Sequence, residues 1–142
     1  MRSLGSGSIR PSWIAFGWFI AAAVVALMIF GFIALGVMSP DTTRDEHLWL
    51  AIAMLVGFGV GGLFAGMRVR TNPVIHGVGI GLFSLAVWVL ANLLAGEPTG
   101  WTAWRALPTG QALALIGLQT ASAVVGARIG VRWAGPDPTA GG

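Results

Sequence analysis

Residues 13–38 read WIAFGWFIAAAVVALMIFGFIALGVM, 26 positions without a hydroxyl, an amide or a charge. About 20 apolar residues at about 1.5 Å each suffice to cross roughly 30 Å of hydrocarbon. The stretch therefore reads as a membrane-spanning helix that must tilt or protrude. Its apolar core is about twice that of a secretory signal, and no small-x-small cleavage site separates it from Ser39-Pro40-Asp41. The expectation is a retained anchor.

Working outward, three further apolar stretches follow, with spans expected at about residues 12–38, 46–67, 73–95 and 108–128. In front of the second, Thr43-Arg44-Asp45-Glu46 has capping-box spacing, with acids at the positive helix end. Asn72-Pro73 supplies an N-cap and a first helical residue for the third. The fourth is the most polar, with Gln111, Gln119, Thr120 and Ser122, so lipid on every side is disfavoured. Residues 1–10 and 134–142 read as flexible Gly/Ser-rich and Pro/Gly-rich tails. The fold class is all-α: an integral membrane four-helix bundle.

The composition agrees, with 142 residues, 56% hydrophobic and 9% charged against about 25% charged in soluble domains. There are no cysteines, hence no disulfide framework, thiolate nucleophile or sulfur metal site. All eight basic residues are arginines at membrane boundaries, so the basic balance points to topology and not to nucleic acid. Arg2, Arg10, Arg68, Arg70, Arg128 and Arg132 fall on one set of loops, and Arg44 and Arg105 on the other. The positive-inside rule places both termini and the central loop in the cytoplasm. Trp13, Trp49, Trp101, Trp104 and Trp133 fall near the boundaries as belt anchors, whereas Trp88 falls inside span three.

A faint echo recurs sixty residues apart. Gly62-x-x-x-Gly66-x-Arg68 parallels Ser122-x-x-x-Gly126-x-Arg128, and Arg10/Arg70, Gly17/Gly77, Gly36/Gly96 and Gly57/Gly117 keep the offset. It suggests two similar helical hairpins related about the membrane normal.

Because lipid tails are as apolar as leucine, membrane helices associate through small residues and a few hydrogen bonds. On span two, Gly57, Gly61 and Ala65 make one small-residue stripe, and Ala51, Gly59, Gly62 and Gly66 another, which implies two neighbours. Gly77, Gly81, Ser84, Trp88 and Ala95 share a face of span three, with Asn92 at its margin. Gln111, Leu115, Gln119, Ser122, Gly126 and Gly130 align on span four. Ser84, Asn92, Gln119, Thr120 and Ser122 then either line a polar path or bond between helices at about 0.6 to 2 kcal/mol each.

Recognisable chemistry is sparse. His47 and His76 lie at opposite boundaries and cannot form a metal pair, and both read as interfacial. Apart from Glu46 at the very start of span two, no span contains Asp or Glu, which removes the usual proton-coupling carboxylate. Phosphate loops, nucleophile elbows and zinc helices are absent from the sequence. The expectation is a protein that is not an enzyme, with no catalytic, cofactor or metal residue.

At the level of motifs, VGGLFAG (60–66) before a basic turn, HGVGIGL (76–82) and VGARIGV (125–131) resemble a YrzE-like family of small four-span bacterial membrane proteins. The resemblance covers roughly spans two to four. It implies a four-helix fold in a bacterial cytoplasmic membrane and supplies no reaction or cofactor. Function is therefore read as an accessory or assembly subunit with a membrane-protein partner or a homo-oligomer, in contact with the bilayer. The alternative is a small oligomeric transporter or channel along spans three and four, and a third is a pigment or haem held by one histidine.

Overall fold

The computed structural model describes residues 10–38, 46–70, 72–94 and 108–135. It is all-helical there: α1 is Pro11–Ala34, α2 Glu46–Val69, α3 Pro73–Leu94 and α4 Thr109–Ala134. All four are long and apolar enough to cross a membrane, so the chain is a multi-pass integral membrane protein. The Thr43 capping box and the Trp101–Trp104 segment lie outside the described residues.

The helix ends depart from the apolar runs for identifiable reasons. Pro11 opens α1 without a side-chain cap, since its missing N–H costs nothing in a first turn. At the other end α1 stops at Ala34, four residues short of the apolar run. Gly36 sits at φ +69°, its N–H bonds Ile33 O, and Val37 N–H reaches back to Phe32 O. That is a Schellman closure, so a left-handed glycine ends the helix before Pro40 can act. α4 instead continues past Arg128 to Ala134 and ends before Gly135 at φ +69°. Charge there ends the apolar stretch but not the helix. Between α2 and α3, Arg70 and Asn72 both take positive φ, and the Asn72 carbonyl accepts the amides of Ile75 and His76.

Contacts establish an up-down-up-down bundle. Gly17 and Ala21 of α1 meet Gly61 and Gly57 of α2 in antiparallel order, as Gly77 and Gly81 of α3 meet Val124 and Thr120 of α4. α2 and α4 run parallel, as do α1 and α3. The most extensive contact is α2 with α4; α1 lies against α2, α3 against α4, and α1 and α4 do not meet among the described residues. Around the centre, Ala21, Phe58, Ala65, Ile80 and Ala123 form the core, with Ile14, Trp18 and Val25 packed on it. α1 contributes least, burying Gly17 and Ala21 alone.

Candidate functional site

Two features stand out inside this scaffold: a glycine seam that brings backbones together, and polar side chains enclosed by it. A Cβ at Gly57 would press on Val25 and the Ala21 carbonyl, and one at Gly61 on Ala21 and the Gly17 carbonyl, so this stripe serves α1. Gly62 and Gly66 face the other way, onto the backbones of Ala123 and Ala127. Gly126 and Gly130 in turn face the carbonyls of Gly59 and Leu63. Gly77 abuts the Val124 backbone and Gly81 the Thr120 side chain. Only glycine permits such approaches, which supply the close packing that holds membrane helices together.

The α2–α4 seam is reciprocal. Exchanging the two helices with a shift of 64 residues carries the Gly62–Ala123 contact onto Gly126–Gly59, and Gly66–Ala127 onto Gly130–Leu63. The sixty-residue echo therefore misaligns these helices by one turn. At that offset Gly57, buried against α1, would correspond to Gly117, around which nothing lies within 4 Å. Gly66 is equivalent here to Gly130, and Gly62 to Gly126.

The enclosed polar groups are mostly paired. Trp18 Nε1 donates to Ser84 Oγ at 2.9 Å, joining α1 to α3. Gln119 Nε2 donates to Met54 Sδ at 3.2 Å, joining α4 to α2, and Ser122 Oγ donates to the Leu55 carbonyl across the same contact. Thr120 Oγ1 donates to Ile116 O one turn back, as Ser and Thr do in membrane helices. Three buried atoms have no partner among the described residues: His76 Nε2, Trp88 Nε1 and Gln119 Oε1.

Several side chains lie elsewhere than their pattern suggested. Asn92 is exposed on the outer face, its amide donating to Trp88 O at 2.8 Å, so it contributes nothing to an interior path. Gln111 is exposed, and Ala112 takes the buried place beside it. His76, in the first turn of α3, is buried among the helices at 1% exposure, with Nδ1 at 3.2 Å from Asn72 O. The Asn72 carbonyl can only accept, so Nδ1 is the donor in that contact, and the buried Nε2 has no partner among the described residues. Trp18 and Met54 were missed as polar partners. The signal for Trp18 was an indole far from a boundary, which needs an acceptor when buried.

At one end of the bundle lie the start of α1, the end of α2, the start of α3 and the end of α4. Arg10, Arg68, Arg70, Arg128 and Arg132, all the described arginines, gather there. The Arg68 guanidinium sits 5.5 Å from the Trp13 ring centroid. No group of three or more potential metal-ligating side chains occurs among the described residues. Compared with family models, curated proteins and solved structures, the chain matches none.

Proposed function

We propose that this is a non-catalytic membrane protein, an accessory or assembly subunit that docks to a larger membrane complex through α1. The observation that carries this reading is the imbalance of α1. It buries two small residues and presents Phe16, Phe19, Leu27, Phe30 and Ile33 outward, each more than 40% exposed. Of the hydroxyls on the remaining helices, Ser122 bonds across α4 to α2, Thr120 bonds within α4, and Ser84 accepts from Trp18 of α1. Membership of the YrzE-like family, with the arginine-rich end in the cytoplasm of a bacterium, belongs to the same proposal and rests on the glycine motifs and the arginine asymmetry.

The test is a photo-crosslinking amino acid placed at Phe19 or Phe30 in native membranes, with Leu113 of α4 as a comparison site. Protein adducts from the α1 positions are expected. Lipid adducts alone from all three would defeat the proposal.

A transporter is the second reading, favoured by Gln119 Oε1 and Trp88 Nε1, two buried polar atoms without partners. It requires solute flux in liposomes that Gln119→Leu abolishes. Flux untouched by that change removes this reading.

A further inference from the structure

We infer a binding site for the headgroup of an anionic phospholipid in the outer groove between α1 and α2. At the mouth of the groove Arg68 lies over the Trp13 ring, 5.5 Å from its centroid, while remaining exposed. A cation this close to an indole is attracted by the ring's negative face, and the exposed guanidinium keeps its fork of N–H donors available to a ligand. Planar forks of this kind match phosphate oxygens two at a time. Arg10, also exposed, occupies the N-cap position of α1 one turn before Trp13 and adds a second cation at this end of the bundle.

Inward of this pair the surface is aromatic and apolar. Phe16 meets Trp13 edge-on, with centroids 5.4 Å apart, and Phe64 lies one turn deeper than Arg68 on α2. Both rings are about half exposed, at 51% and 47%. At about 100° per residue, Phe64 and Arg68 lie roughly 160° around α2 from Gly62 and Gly66, the residues that face α4. Phe64 and Arg68 therefore point away from α4 and are exposed on the outside of the bundle. A phosphate at Arg68 would leave its acyl chains against Phe16 and Phe64, at the depth where hydrocarbon begins. Charge selects the lipid, because five of the described arginines gather at this end of the bundle. Topology alone explains arginines on this side of the membrane, but it does not explain one set over an indole with two half-exposed phenyl rings beneath it.

The full chain is reconstituted in phosphatidylcholine vesicles containing a minor fraction of phosphatidylglycerol. Either lipid carries bromine on its acyl chains as a contact quencher of indole fluorescence. The Trp13 component is the difference between the parent chain and Trp13→Phe. Brominated phosphatidylglycerol should quench that component about fivefold more effectively than brominated phosphatidylcholine at equal fraction, the preference one arginine near a surface supplies. Arg68→Gln should abolish the preference and Arg132→Gln should preserve it. Arg68→Lys, which keeps the charge but loses the planar fork, should lose at least half. Equal quenching by the two lipids overturns the site. So does a preference that survives Arg68→Gln, or that Arg68→Lys leaves intact, since the diffuse field of the whole basic end would then account for it.

Discussion

Replacing Gly62 by alanine tests the central contact of the bundle most directly. The added Cβ would lie 2.8 Å from the Cα and carbonyl carbon of Ala123, in addition to meeting the carbonyl oxygen. Ordinary carbon–carbon contact is about 3.5 to 4.0 Å, so α2 and α4 must part by roughly 0.7 to 1.2 Å. A gap of that size forfeits about a quarter to a half of the dispersion well at each contact along the seam. Ordinary overpacking costs about 1 to 3 kcal/mol, and backbone cannot yield as a side-chain end can. Gly62→Ala is therefore expected to lose about 1 to 3 kcal/mol. Reciprocity adds a sharper demand: Gly126→Ala, pressing on the Gly59 backbone, should lose a similar amount. The double variant should lose less than the two together, because helices already parted admit the second methyl easily. Gly117→Ala is the control. Nothing lies within 4 Å of that position, so the methyl should be neutral or gain up to about 1 kcal/mol in helix propensity. Reversible unfolding in mixed micelles, followed by helix content, measures all four variants. If Gly62→Ala stays within about 0.5 kcal/mol of the parent, or if the losses at Gly62 and Gly126 add in full, the seam is not the tight reciprocal contact described.

Trp18→Phe keeps the ring at the α1–α3 contact but removes the donor to Ser84, so a loss of about 0.6 to 2 kcal/mol is expected. Pairing it with Ser84→Ala in a double-mutant cycle should recover a coupling of that size, and none would mean the bond contributes nothing. Gln119→Met removes an amide whose Oε1 has no described partner, beside Met54; stability in the same assay should be unchanged or higher, and a clear loss would show that the amide is satisfied by another group. Asn92→Leu, on the outer face, should leave stability within about 0.5 kcal/mol of the parent. Cysteines at Ser12 and Gly135, at the same end of the bundle, should react with an impermeant thiol reagent from one side of sealed vesicles only; labelling from opposite sides would contradict the antiparallel order.

The helices were legible because hydrocarbon thickness imposes a length that 26 unbroken apolar residues announce, and Pro73 marks a helix start whatever its surroundings. The two faces of α2 were legible for a related reason: glycine is the one side-chain signal of close approach in a medium where lipid and protein interior are equally apolar. That equality also hid the rest. Nothing in the local pattern separates buried Ala112 from exposed Gln111, or turns Asn92 outward where its amide bonds its own helix. The burial of His76 depends on how α3 is rotated against its neighbours, and the 64-residue equivalence of α2 and α4 on how far each helix is raised. Gly36 was hidden differently, as an apolar residue whose backbone angle, and not its side chain, ends α1.

The interlocking of α2 and α4 dictates which motions the protein can make. A one-turn ratchet of α4 along α2, about 5.4 Å, would in one direction bring Phe58 and Ala134 to the places held by Gly62 and Gly130. In the other it would bring Arg70 and Ser122 to those of Gly66 and Gly126. Both alternatives insert side chains where only hydrogen fits, so piston-like sliding of this pair is blocked at either end. α1, which does not meet α4 among the described residues, takes no part in this interlock and is held instead by the Gly57 and Gly61 stripe of α2 and by Ser84 of α3.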